Sequence, residues 1–291
     1  MTTRFGLAVY DLPAPELVEL AQAADGCGFD SLWLGEHVAV PIEVTSAHPT
    51  SGAHNPLSRH VLAPGTVVHD PWAVLGAVSA VTTRLHPATG VLVLPLHQPL
   101  LVARAVATLH DLSNGRFLLG VGSGWVAEEF AVLGVPFDGR GRALDAALEL
   151  LRAALAGEPV GTPPAQVCAT PVAVPLVLGG SSPPALRRAG RLADGWLSSG
   201  AAGVDDVLRS RDLIDSERSA QGRSHLPFRS FGRLPAADPQ LVERYGREGI
   251  DDVVVWAEHL WPRGPQLTWE RKAEHLRRRA EDLGVLQGSA A

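Results

Sequence analysis

The chain has 291 residues, 46% of them hydrophobic and 19% charged, which is enough apolar material for a large core and a length suited to one large α/β domain. Its net charge of −6 at pH 7, with no block of like charges, excludes a long nucleic-acid groove or an anionic membrane surface as a partner. No apolar run reaches membrane-spanning length, and two cysteines (Cys27, Cys168) behind the opening MTTRFGLAVYD predict a cytoplasmic protein with reduced thiols.

Short aliphatic runs alternate with longer Ala/Leu/Arg-rich runs of period near 3.6, the pattern of βα units. FGLAVYD at 5 to 11 predicts the first strand, and its helix runs through ELVELAQAAD to Gly26, with Pro early and Gly late. SLWLGEH at 31 to 37 predicts the second strand. The polar, Pro-rich stretch from Val38 to His69 is too long for an ordinary βα loop and predicts an excursion over one face. Asp70-Pro71 restarts a helix through WAVLGAVSAVTT; strand ATGVLVLP follows, then helix PLLVARAVATLHDLSNG with its Asn114-Gly115 stop signal. RFLLGVG is the fourth strand, ALDAALELLRAALAG the next helix and VPLVLGG the fifth strand, with residues 157 to 175 read as a Pro-rich connector. Then come PPALRRAGRLADG and WLSS, VDDVLRSRDLIDSERSAQGR and FRSFGR, DPQLVERYGREG and DDVVVWAE, with WERKAEHLRRRAEDLG closing the chain. About eight strands, each followed by a helix with no break in composition, predict one (β/α)8 TIM barrel over residues 1–291 rather than an open doubly wound sheet.

In such barrels the active site lies at the C-terminal ends of the strands. That rule selects Glu36 and His37, Gly90 and Val91, Gly120 to Trp125, Gly179 to Ser182, Leu197 to Gly200, and Trp256 to His259. GVGSGW and GGSSPP are glycine-rich turns that open helices. Backbone N–H groups, the positive end of a helix dipole and serine hydroxyls make each an anion site; the competing reading is that the glycines only permit tight turns. GVGSG carries a GxGxG string, but the helical run after it lacks the later strand-end acid that a dinucleotide fingerprint needs. His37 can exchange a proton near neutral pH, with Glu36 as a carboxylate neighbour able to orient it; a structural histidine is the bland alternative. His48, His54 and His60 are equally spaced but lack a ligand pattern, so no metal is expected. Of Trp33, Trp125, Trp196 and Trp256, all at strands or their ends, Trp125 is the one placed to touch a ligand.

Three ordered motifs carry a family resemblance over residues 4 to 285: GFDSLWLGEH, then ATGVLVLP with QPLLVARAVATLHDLSNGRFLLGVGSGWVAEEFAVLGVPF, then PLVLGGSSPPALRRAGRLADGW. The chain resembles the bacterial luciferase-like monooxygenase superfamily, in its deazaflavin (coenzyme F-420)-dependent branch. The resemblance implies a luciferase-like (β/α)8 barrel, a homodimer, and coenzyme F-420 or FMN bound at the strand C-termini beside a small-molecule substrate. It gives His37 the place of the histidine near the redox-active ring carbon, with Glu36 as its acidic neighbour. Gly90-Val91 takes the place of a non-prolyl cis peptide behind the ring system, and Gly122, Ser123, Gly124 and Trp125 lie near the ring edge. Gly179, Gly180, Ser181 and Ser182, with Leu197 and Ser198, take the place of the phosphate-holding segment. Trp125 stands where sugar-phosphate dehydrogenases of the branch carry an acid, which argues against glucose 6-phosphate as substrate. The stretch from Ala156 to Pro175 is shorter than in many relatives and implies a more open cavity. The expected activity is hydride transfer by an F-420-dependent oxidoreductase. The alternatives are an FMN-dependent monooxygenase using reduced flavin and molecular oxygen, or a flavin-binding relative without turnover.

Overall fold

Strand β1 (Arg4–Val9, RFGLAV) is buried at every position after Arg4, as a parallel strand must be when helices cover one face and packed side chains the other. Helix α1 (Ala14–Cys27) buries Leu17, Leu20, Ala21, Ala24 and Cys27, one stripe at helical spacing, and ends at Gly28 in the left-handed conformation (φ +87°). The unit repeats through β2 (Ser31–Leu34), α2 (Pro71–Val81), β3 (His86–Thr89), β4 (Leu92–Val93), α3 (Pro99–Leu112), β5 (Leu119–Gly122), α4 (Ala127–Val132) and α5 (Arg140–Leu155). It continues through β6 (Leu176–Gly179), α6 (Pro183–Leu192), β7 (Gly195–Leu197), α7 (Val204–Ala220), β8 (Arg229–Arg233), α8 (Pro239–Arg247), β9 (Asp252–Trp256) and α9 (Trp269–Asp282). The structure is a computed structural model and describes residues 3–47, 65–199, 203–250, 252–261 and 267–285.

All strand pairs are parallel, in the order β3-β2-β1-β9-β8-β7-β6-β5-β4. The two ends of that order are consecutive in the chain, so β3 and β4 are halves of one strand position and the α/β barrel closes on itself. The sequence-predicted third strand is therefore broken at its middle, at the cis peptide Gly90–Val91. Around the break Thr89 replaces ladder bonds with its side chain: its hydroxyl donates to the Gly120 carbonyl at 2.7 Å and accepts from the Gly120 N–H at 2.9 Å. A bridge between Ala88 and Leu118 completes the seam. The connector 157–175 carries one short antiparallel bridge, Val160 to Ala165.

Apolar side chains divide into two layers. One cluster packs strands against the helices, and a smaller one fills the barrel interior with Ala8, Trp33, Ala88, Leu118, Val177, Leu197, Phe231, Val254 and Trp256. Trp33 is the centre of the inner layer. Its ring meets Phe231 edge-on at 4.7 Å, and its indole N–H donates to Ser31 Oγ at 2.9 Å. Space for it comes from Gly6, where a Cβ would lie 2.4 Å from Ser31 Oγ and 3.1 Å from the Trp33 indole nitrogen.

The N-terminal end of the barrel is tied by charge. Asp252, 4% exposed, takes hydrogen bonds on both oxygens from Arg4 (2.7 and 2.8 Å) and from Arg229 (3.1 and 2.6 Å). Burial alone would raise this carboxyl; the two guanidinium groups more than offset that and hold it below the ordinary carboxylate range.

Candidate active site

A cleft of about 300 Å3 opens at the C-terminal ends of the strands. Glu36, His37, Gly90, Val91, Gly122, Ser123, Gly124, Trp125, Gly179, Gly180, Ser181, Ser182, Leu197 and Ser198 all line it. Tyr10, Val93, Glu129, Arg140, Ala185 and Arg233, which the sequence did not single out, line it too. Trp256 lies beneath, its ring 5.5 Å from Tyr10, and Trp33 and Trp196 are core. His48, His54, His60 and Gly200 fall outside the described residues. Among the described residues no group of three His, Cys, Asp or Glu forms a metal site, and no helix is long and apolar enough to cross a membrane.

The carboxylate that meets His37 is Glu129, not Glu36. His37 Nδ1 lies 3.0 Å from Glu129 Oε2, with the two side chains 7% and 2% exposed. Glu129 Oε1 also accepts the N–H groups of Val38 (2.6 Å) and Ala39 (3.3 Å), which holds the carboxylate in place. Neighbouring residues at the end of a strand point to opposite sides, and Glu36 therefore faces away. Its Oε1 lies 2.9 Å from His97 Nε2, and its Oε2 accepts the Val93 N–H at 2.8 Å, bracing the segment after the strand break. A sequence signal for Glu129 did exist: with the buried Val126 and Phe130 it makes an i, i+3, i+4 stripe, so this one acid sits on the apolar face of α4.

Val91 forms one wall. A Cβ at Gly122 or at Gly179 would come within 2.9 Å of its methyl groups, so glycines on β5 and β6 make room for the valine of the strand break. Trp125 stands edge-on to His37, ring centres 6.2 Å apart. Below the wall, Arg233 donates from Nη2 to the Gly90 carbonyl at 2.8 Å and lies over the Trp256 ring at 4.9 Å. Burial pushes the neighbouring Tyr10 hydroxyl above its ordinary range, and Arg233 pulls it only part of the way back, so the phenol stays protonated at neutral pH.

The other end of the cleft is built for an anion. Ser182 is the N-cap of α6 and makes no side-chain cap bond, so its hydroxyl stays available. Pro183 and Pro184 have no N–H, which concentrates the free donors of this helix end on Ser181, Ser182 and Ala185 at the positive pole of the dipole. Trp196 fixes the turn by donating to the Gly180 carbonyl at 2.8 Å. Arg140 adds a cation, its Nε on the Gly124 carbonyl at 3.0 Å and its guanidinium over Phe137 at 3.9 Å. Ser198 Oγ accepts the Arg233 N–H at 2.7 Å, so this serine links the cradle to the floor.

The loop after β2 is held against α4. Glu128 accepts the N–H groups of Thr45 (2.7 Å) and Ser46 (3.0 Å) and their hydroxyls (2.6 and 2.7 Å). These bonds, the Thr45 hydroxyl foremost, bring its carboxyl down to about 2. A group depressed in the folded state contributes above its unfolded value and loses that contribution as pH falls through the folded one. The clamp is therefore complete above about pH 4.5 and released toward pH 2. Glu128→Gln is expected to speed amide exchange at Thr45 and Ser46 at neutral pH; unchanged exchange at those amides would refute the clamp.

Similarity to known proteins follows the same lines. The model of the luciferase-like monooxygenase family matches residues 2–281. An uncharacterized Mycobacterium tuberculosis protein is 32% identical over 250 residues, covering 80% of this chain and 84% of the relative. The F-420-dependent glucose-6-phosphate dehydrogenase of Beutenbergia cavernae is 36% identical over 273 residues, covering 82% and 73%. Among solved structures, the coenzyme F-420-dependent tetrahydromethanopterin reductase of Methanopyrus kandleri shares the fold with a TM-score of 0.67 at 17% identity, covering 96% of this chain and 98% of that one.

Proposed function

This chain belongs to the luciferase-like monooxygenase family, and we propose that within it the protein is a coenzyme F-420-dependent oxidoreductase acting on a small organic substrate. The observation that carries the reading is the buried His37–Glu129 pair at the mouth of a cleft whose far end is an anion cradle. The residues present fit a flat ring with a phosphodiester tail. Val91 and Trp125 offer apolar surface for the ring, and Ser181, Ser182, Ala185 and Arg140 offer donors and charge for the phosphate. When bound, the deazaflavin supplies a hydride donor and acceptor at carbon 5.

What the chain itself contributes is position and a proton. With Nδ1 engaged by Glu129, Nε2 is the His37 nitrogen left to give or take the proton that accompanies a hydride. Glu129 fixes the ring orientation through its contact with Nδ1. Arg233 holds the Gly90 carbonyl and so the wall against which a ring would rest. Trp125 in place of an acid, as the resemblance has it, leads us to propose a substrate other than glucose 6-phosphate.

The test is a parallel titration of the protein with coenzyme F-420 and with FMN, followed by fluorescence quenching. Binding at roughly micromolar Kd or tighter for the deazaflavin, with FMN far weaker, is the expected result. The reverse preference, with oxygen uptake on adding reduced FMN, would replace this reading by the flavin monooxygenase that the family description also covers.

A further inference from the structure

At the opposite end of the barrel a cavity of about 530 Å3 opens between α7 and the starts of β1, β8 and β9. Four guanidinium groups line it, from Arg4, Arg211, Arg218 and Arg229, against two carboxylates, Asp215 and Asp252. None of them lines the cleft described above. Asp252 has both oxygens taken by Arg4 and Arg229. Burial pushes the Asp215 carboxyl up from its ordinary range, with Arg211 and Arg218 pulling it back only in part. Among the described residues that line the cavity, the balance of charge is positive.

Arg218 is the informative member. It is 4% exposed, its guanidinium lies over the Phe228 ring at 4.4 Å, and Nη2 donates to the carbonyls of Arg223 (3.0 Å) and Leu226 (2.6 Å). Its Nη1 is buried with no acceptor among the described residues. A buried donor on a permanent cation is costly to leave unmet, and buried polar groups in native proteins almost always have a partner. Arg218 lines the cavity, which makes an acceptor held there the candidate partner.

We propose that this N-terminal mouth of the barrel is a second ligand site, one that takes a phosphate group, with Arg218 Nη1 as its innermost donor and Arg211 and Arg229 as flanking charges. Guanidinium forks match oxyanion geometry, and several converging on one cavity suit the spread oxygens of a tetrahedral anion better than a planar carboxylate. The volume exceeds what inorganic phosphate fills and lies in the range of small-molecule sites, so the phosphate ester of a small metabolite fits the space. Such a ligand would tie α7 to β8 and β9 and raise stability by mass action.

The experiment is calorimetric titration and thermal unfolding of the full chain with inorganic phosphate and with adenosine monophosphate, each against sodium chloride at matched ionic strength. Saturable binding beyond the chloride control is expected. Arg218→Met should weaken it at least about tenfold. Arg211→Gln, at a more exposed position, gives the same readout should Arg218→Met fail to fold, and is expected to weaken binding several-fold. Arg140→Met, in the cleft at the other end, should remove only the binding that Arg218→Met leaves in place. Equal affinity for both probes identifies the phosphate group alone as the ligand; tighter adenosine monophosphate binding identifies an ester. The proposal is overturned if neither probe binds beyond chloride, if the Arg218 and Arg211 variants bind like the parent, or if only Arg140→Met loses binding.

Discussion

Replacing His37 by alanine is expected to lower turnover by about two orders of magnitude or more, while cofactor affinity stays within several-fold of the parent. The asymmetry follows from where the histidine sits. It lies at the mouth of the cleft with Nδ1 on Glu129, whereas the groups fit to bind a cofactor, the α6 turn and Arg140, come from other elements. Glu129→Gln is the companion variant. A glutamine keeps the shape and can still accept from Val38 and Ala39, but removes the negative charge beside His37 Nδ1. We expect a loss of about tenfold in kcat, a shifted pH profile and little change in KM, a combination that a merely structural role would not give. Wild-type turnover in His37→Ala would remove the histidine from the mechanism, and a pH profile unchanged from the parent in Glu129→Gln would leave Glu129 as a loop anchor only.

The site was legible in the sequence to the extent that one rule governs it. Stretches such as FGLAV and VVVW are unbroken apolar runs because both their faces are covered, and the residues just past such runs gather at one end of a parallel barrel. That rule sufficed to bring His37, Val91, Ser123 and Ser182 into one cleft although they come from four separate segments. It failed where contact depends on direction rather than position. Glu36 is next to His37 in the chain yet turns toward Val93 and His97, and Glu129, 92 residues away, takes the place its sequence neighbour had been expected to fill. The break in the third strand was hidden from the apolar pattern, since ATGVLVLP reads as one strand; the resemblance pointed to a cis peptide at Gly90-Val91, and the Thr89 hydroxyl, by bonding across to Gly120, shows how the ladder is carried past the interruption. Arg233 escaped notice for a third reason. A charge inside a weakly apolar strand such as RSFGR suggests an edge, whereas here it is buried beneath the cleft on a carbonyl and an indole ring.

That seam leaves no room for a side chain at Gly120. A Cβ there would lie 1.9 Å from the Thr89 carbonyl oxygen and 3.3 Å from the Trp33 ring. The first obstacle is backbone and cannot swing aside: Thr89 is bonded to Gly120 in both directions, and Gly90 next to it donates to the Leu34 carbonyl at 2.7 Å. Relief must come from opening the contact between β3 and β5, where the barrel closes. Gly120→Ala should therefore cost about 3 kcal/mol or more, a fall in Tm on the order of 10 °C for a chain of this size. Gly26→Ala, in α1 with nothing within 4 Å of the added carbon, is expected to be neutral or stabilising by up to about 1 kcal/mol, because alanine outranks glycine in a helix. Urea unfolding of the two variants beside the parent separates a steric cause from a general intolerance of glycine replacement. A Gly120→Ala protein within about 1 kcal/mol of the parent would mean that the seam can open without loss. A destabilised one that also binds cofactor weakly would place the strand break, and Val91 with it, in the path from barrel closure to the shape of the cleft.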